Sequence, residues 1–201
     1  MYLVGLTGGI AAGKSTVAKH WVSRGAIEID ADVLAREVIA QGTPGEQQVI
    51  EAFGTGVLDS TGALDRKALG NIVFNSKPEL EKLEAIVHPL VRARTQELLK
   101  AAPTDAIVVY TVPLLVEANV DLGFDTVVTV EAPEVERINR LVESRGYSIQ
   151  EAKVRIANQA TPIERAARAD HILNSNQDIF LLLRDADALY EKFLAANEAK
   201  Q

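Results

Sequence analysis

Gly8-Gly9-Ile10-Ala11-Ala12-Gly13-Lys14-Ser15 follows directly on the short apolar run Tyr2-Leu3-Val4-Gly5-Leu6-Thr7. Its spacing, G-x-x-x-x-G-K-S, is that of a phosphate-binding loop. It also stands where such a loop has to stand, between a strand and a helix that reads from Thr16 to Ser23. Glycines let backbone N–H groups approach phosphate oxygens, and the N-terminus of the following helix favours anions. Lys14 neutralises terminal phosphates, and Ser15 offers a hydroxyl to Mg²⁺. The chain is therefore expected to bind a nucleoside triphosphate.

The sequence has 201 residues, 47% of them hydrophobic and none of them cysteine. That length buries one sizeable α/β core with insertions, but not two large independent domains. Without cysteine there is no disulfide framework, zinc thiolate or thiol nucleophile, which fits a cytoplasmic protein. Charges interrupt each apolar run before it could cross a bilayer, and the first residues enter a core strand with no basic leader, so no membrane partner is expected. A net charge of −7 argues against sequence-independent binding of nucleic acid. That charge is unevenly distributed. From Arg137 to Arg168 the basic residues Arg137, Arg140, Arg145, Lys153, Arg155, Arg165 and Arg168 face only Glu143, Glu151 and Glu164. Such a cluster is either an ordinary solvated helical face or a cover for triphosphate oxygens.

Apolar, β-branched runs recur at Tyr2–Thr7, Ala26–Ile29, Ala106–Val112, Thr126–Val130 and His171–Leu173, separated by segments of helical period. The alternation predicts an α/β fold of three layers, with a five-stranded parallel sheet between helices. Ligands of such sheets gather at the carboxyl ends of the strands. That points to Gly8 to Thr16, Asp30 and Asp32, Pro113 to Glu117, Glu131 to Arg137, and Asn174. The stretch from Asp32 to Asp105 is far longer than one crossover needs, and it predicts a helical insertion with helices near Val33–Gln41, Gly45–Phe53, Arg66–Phe74 and Pro78–Ala101. A second helical excursion, Arg137 to Arg168, is expected to form two helices broken at Gly146-Tyr147 and to act as a lid. The last helix is expected over Gln177–Ala195 as a packing element. One domain results: a core of 1–31, 104–136 and 169–201, an acceptor-binding insertion of 32–103, and a lid of 137–168.

Asp30 and Asp32 follow the second strand, where a carboxylate could orient an acceptor hydroxyl and take its proton late. Either could instead cap the helix that follows. His88, in or after a long helix, is weighed first as structural; His20 reads as surface or packing, and His171 has no assigned role. The dispersed histidines make no metal site, so the metal expected is Mg²⁺ brought with the nucleotide. Asp59-Ser60-Thr61-Gly62 matches the D-x-x-G of a GTP-dependent switch, but it follows no apolar strand and no N-K-x-D element accompanies it. Hydrolysis for its own sake is also unsupported, because the strand ending Val109-Tyr110-Thr111-Val112 carries no acid.

Taken together, Thr7-Gly8-Gly9-Ile10 leading into Gly13-Lys14-Ser15-Thr16, Asp30-Ala31-Asp32 with Ala35-Arg36, His88-Pro89, and Val112-Pro113-Leu114-Leu115-Val116-Glu117 resemble the dephospho-CoA kinase family. Arg140-Leu141, Arg155-Ile156 with Gln159, and Ala169-Asp170 followed by Asn174 continue the resemblance. It implies transfer of the ATP γ-phosphoryl group to the ribose 3′-hydroxyl of dephospho-CoA, giving CoA and ADP; a non-catalytic ATP-binding relative is the alternative. By position it implies that Asp32 is the base. Gly9, Ala11, Ala12, Gly13, Lys14, Ser15 and Thr16 hold ATP phosphates, with Ser15 on Mg²⁺. Lys14 and Arg140 face the transferring phosphate, Leu34, Arg36, His88, Leu115 and Glu117 line the acceptor site, and Asn174 lies near adenine. A monomer is expected. Three residues depart from the family pattern: Thr111 in place of an aspartate, Ser144 in place of a second lid arginine with Arg145 adjacent, and Asn176 in place of a glycine.

Overall fold

The computed structural model describes residues 1–200; residue 201, the end of the expected core, lies outside them. The chain divides into two compact units, one formed by Met1–Ile29 and the chain from Ala102 onward, the other by Asp30–Ala101.

The first unit is built on a sheet whose strand order is β2-β3-β1-β4-β5, with β1 at Tyr2–Gly8, β2 at Ile27–Asp30, β3 at Ile107–Thr111, β4 at Thr126–Glu131 and β5 at His171–Asn174. The β1–β3, β1–β4 and β4–β5 ladders are parallel; Val4 pairs with Val109 on one side and Thr126 on the other. The central strands are buried on both faces, which is why they read as apolar runs rather than alternating ones. Helices α1 (Lys14–Ser23) and α9 (Ile179–Glu198) pack against this sheet and share one core with it, in which Val4, Leu6, Val17, Trp21, Val109, Val128, Ala186 and Phe193 meet. Trp21 is fully buried. Its indole N–H donates to the Ala186 carbonyl at 2.9 Å, and its ring stacks on Tyr190 and meets Phe193 edge-on. His20 does what its surface reading suggests: its Nε2 lies 2.8 Å from Asp187 on α9, which Arg24 also reaches.

The segment expected to form a lid differs in its helices. It holds three helices, α6 (Glu134–Arg145), α7 (Ile149–Ala157) and α8 (Pro162–Arg168), rather than two. Gly146, at φ 68, ends α6, so the predicted break is present. The second break comes from Thr161-Pro162 with Glu164, a capping box that starts a new helix as surely as Ser148 with Glu151 starts α7. α9 begins two residues later than expected because the Asp178 carboxylate caps it, accepting from Phe180 N at 2.8 Å.

The second unit contains α2 (Ala31–Glu37), α3 (Pro44–Phe53), a short 3-10 turn (Thr55–Val57), α4 (Arg66–Phe74) and α5 (Lys77–Ala101). Its core gathers Val49, Val57, Leu69 and Val73 with Phe53, Leu80 and Leu83. α2 is shorter than expected. The Thr43 hydroxyl donates to the Val38 and Ala40 carbonyls and accepts from Glu46 N, turning the chain where a longer helix would have continued. Pro89 lies inside α5, beside His88. Asp59 accepts from Thr61 and Ala63 and closes a turn, bonds that hold its carboxyl below the usual carboxylate range, the Thr61 hydroxyl foremost. The D-x-x-G match is thus a turn.

Replacing Trp21 by Phe keeps an aromatic ring but leaves the Ala186 carbonyl without its donor. Urea unfolding followed by far-UV circular dichroism is expected to show a loss of about 1–3 kcal/mol; an unchanged midpoint would mean that the buried bond contributes nothing.

Candidate active site

The loop between β1 and α1 is shaped by its backbone. Gly13 caps α1 at φ 103, a left-handed conformation that glycine adopts freely, and no side chain caps this helix. Thr16 N turns back to the Gly13 carbonyl at 3.0 Å, and the N–H groups of Lys14 and Ser15 are left, among the described residues, for an external acceptor, which the helix dipole makes an anion. Ala11, at φ 60, takes the same left-handed region without glycine's freedom, at a cost of about 1–2 kcal/mol. Such a conformation persists when neighbours overdetermine it. Arg140 Nη1 donates to the Ala11 carbonyl at 3.1 Å and to Ser175 Oγ at 3.0 Å, while Nη2 reaches the Ser175 carbonyl at 2.8 Å. The Ser175 hydroxyl donates in turn to the Ala12 carbonyl, and Gln159 Oε1 accepts from Ile10 N at 2.7 Å. The loop is tied by its carbonyls to the segment after β5 and by one N–H to the end of α7. Lys14 is half-buried, Ser15 and Thr16 are exposed, and Lys14 forms no ion pair among the described residues.

Two arginines of the basic segment are buried beside this loop. Arg165 on α8 grips Glu131 at the end of β4 with both arms of its fork, Nε to Oε1 at 2.5 Å and Nη2 to Oε2 at 2.7 Å, and donates to the Ala160 carbonyl. Glu131 also accepts from Thr129 Oγ1 at 2.7 Å. Arg137 on α6 is only 3% exposed, yet its Nε and Nη1 have no hydrogen-bond partner. Burial, and secondarily the Arg165 cation, depress its proton affinity below an ordinary arginine's, against a pull from Glu131 and Glu134. The Arg137 guanidinium occupies the space a Cβ at Gly9 would need, so a larger residue there would have to displace it.

Arg140, read from the sequence as facing the transferring phosphate, is occupied with the loop's own backbone, and Arg137 is the buried guanidinium left unpaired. Asn174 is exposed, and its Oδ1 accepts from Asn176 N at 2.8 Å. With Glu131, Arg137, Gln159, Thr161 and Ile172 it lines a cavity of about 540 Å³. Leu115 is fully buried, whereas its neighbour Leu114 is exposed. Glu117 accepts from Ala160 N at 2.7 Å, linking the segment after β3 to the turn before α8. Thr111, where the family pattern has an aspartate, donates its hydroxyl to Glu28 Oε1 at 3.1 Å, so a carboxylate from β2 stands beside it.

In the second unit, Asp30 is the cap of α2, accepting from Asp32 N at 2.8 Å and Val33 N at 3.1 Å. The two aspartates are thereby distinguished: Asp30 satisfies the helix end, and Asp32 stands exposed in the first turn. Leu34 is buried, while Arg36 and His88 are exposed. Among the described residues no cluster of His, Cys, Asp and Glu could hold a metal by itself, and no helix is long and apolar enough to cross a membrane.

Known proteins share this arrangement along nearly the whole chain. The family model described as dephospho-CoA kinase matches residues 2–180. A dephospho-CoA kinase of Streptomyces avermitilis is 51% identical over 176 residues, covering 88% of this chain and 86% of that protein. One of Frankia casuarinae is 43% identical over 200 residues, covering 100% and 87% respectively. The crystal structure of TT1252 from Thermus thermophilus superposes with a TM-score of 0.83 at 32% identity, covering 95% of this chain and 97% of that one. With its phosphate loop on a parallel sheet and an arginine-bearing helical segment beside it, the chain belongs to the dephospho-CoA kinase family.

Proposed function

We propose that the sites above divide the labour of a phosphoryl transfer from ATP to dephospho-CoA, the reaction of this kinase, which yields CoA and ADP in CoA biosynthesis. The observation that carries the reading is the loop from Gly9 to Gly13, whose Ala11 and Ala12 carbonyls are tied back by Arg140 and Ser175 while the N-terminus of α1 is uncapped. Phosphoryl transfer asks little covalent chemistry of a protein; positioning and charge stabilisation account for most of the catalysis. Gly9, Ala11, Ala12, Gly13 and Thr16 surround the ATP phosphates with backbone, and Lys14 balances charge developing on the transferred group. Arg140 shapes the loop through Ala11, and Asn174 lies on the side of the adenine.

The acceptor is dephospho-CoA, whose ribose 3′-hydroxyl hydrogen-bonds to the Asp32 carboxylate. As the oxygen–phosphorus bond forms and the bond to the leaving ADP breaks, the hydroxyl proton passes to Asp32. Leu34, Arg36, His88, Leu115 and Glu117 belong to the acceptor's surroundings. The Ser15 side chain, exposed and without an intramolecular bond, fits Mg²⁺, which takes one or two protein oxygens and completes its shell with phosphates and water. The ion would screen phosphate charge. We further assign the enzyme to the cytoplasm and to a monomeric state.

Two substitutions test the assignment. Asp32→Asn is expected to lower CoA formation by about 10²–10⁴-fold, the usual range for a general base, while titration calorimetry still registers Mg·ATP binding; full turnover in this variant would remove Asp32 from the mechanism. Arg140→Met should raise the KM for ATP by about tenfold or more, because the Ala11 and Ser175 carbonyls lose a charged donor. An unaltered KM would show that the loop keeps its shape unaided.

A further inference from the structure

We propose that Arg137 is a phosphate ligand: its guanidinium, buried beside Gly9, takes an oxygen of the bound nucleotide's phosphates. The inference rests on the reading of the loop as a nucleotide site and adds a residue to it.

Among the described residues no carboxylate hydrogen-bonds to Arg137. Glu131 is held by both arms of the Arg165 fork and by the Thr129 hydroxyl. Glu134 lies on the exposed first turn of α6 and makes no ion pair with it among the described residues. Two buried cations therefore share one half-buried carboxylate, and the surplus charge sits on Arg137, whose Nε and Nη1 are sealed from water without an acceptor among the described residues. A buried, unpaired charge is among the most expensive features a fold can carry, and native structures keep one where something else supplies the counter-charge.

The place of the surplus charge indicates what that counter-charge is. Arg137 Nη1 lies against Gly9 in the space of a missing side chain, with Arg165 Nη2 3.1 Å from the same point. A guanidinium pressed onto the first turn of a phosphate loop, at the rim of an open cavity, meets the phosphates that the loop gathers. Of the other cations of the segment, Arg140 serves the Ala11 and Ser175 carbonyls, Arg155 covers the Tyr147 ring at 4.5 Å, and Arg145 and Lys153 stand exposed on their helices rather than buried beside the loop.

The proposal makes Arg137 a source of instability in the empty protein and of affinity in the loaded one, a pairing that a packing residue does not produce. Thermal unfolding of the full chain, wild type and Arg137→Gln, is compared without nucleotide, with Mg·ADP and with Mg·ATP, alongside steady-state kinetics. Arg137→Gln is expected to melt above wild type in the absence of nucleotide and to gain less from Mg·ATP. Its kcat/KM for ATP should fall about ten- to hundredfold, with Arg137→Lys recovering part of the loss. The ADP arm locates the contact, since a ligand of the terminal phosphate leaves the ADP-induced gain equal in both proteins. An Arg137→Gln protein that melts below wild type, gains as much from Mg·ATP and keeps its kcat/KM would overturn the proposal. A wild type stabilised by Mg·ATP that forms no CoA would instead sink the kinase reading, while the Arg137 comparison would still be decided by the unfolding shifts.

Discussion

A phosphate loop works only if its carbonyls are kept away from the anion that its N–H groups are to receive, and in this chain that constraint organises everything around the end of β1. The backbone from Gly9 to Gly13 is too short to hold such a shape alone, and Ala11 stands in a conformation that an alanine avoids. Arg140 from α6, Ser175 from the segment after β5 and Gln159 from the turn after α7 supply what the loop lacks. The α6–α7 segment and the last strand thus belong to the architecture of the loop as much as the glycines do.

The basic segment, which looks uniform in composition, separates into distinct tasks once it is folded. Arg165 is neutralised by Glu131 and fixes α8 against the sheet; Arg140 is a backbone donor; Arg145 and Arg155 stand on exposed helical surface. Arg137, among the described arginines, is the one buried with Nε and Nη1 unbonded. Excess positive charge near a phosphate site is often treated as a general field, but burial and hydrogen bonding assign it residue by residue.

Much of this was legible in the sequence. Apolar β-branched runs indicated all five strands to within two residues at either end; the signal is continuous in β1, β3 and β4, which are buried on both faces, and shorter in the edge strands β2 and β5. Gly8 to Ser15 identified the loop. Helix ends were less legible where they depended on side-chain bonds to nearby backbone: Thr43 cut α2 short, and the Thr161–Glu164 box split the lid a second time. That box had a readable signal, Thr-Pro-x-Glu, whereas the Thr43 turn had little. Spacing alone left Asp30 and Asp32 equivalent and only the resemblance singled out Asp32; the cap of α2 is Asp30. No periodicity could have indicated which arginine would be left unpaired, because that depends on where Glu131 spends its two oxygens.

The aromatic residues carry a consequence of another kind. The single tryptophan, Trp21, and all the tyrosines, Tyr2, Tyr110, Tyr147 and Tyr190, lie in the unit built on the sheet, while the unit from Asp30 to Ala101 has only Phe53 and Phe74. At wavelengths that excite indole and phenol the second unit is dark. Its helices nevertheless contribute to far-ultraviolet ellipticity, so the two optical signals report different parts of the same chain. Any interval of denaturant in which they diverge is a direct reading of how far the two units fold apart from one another.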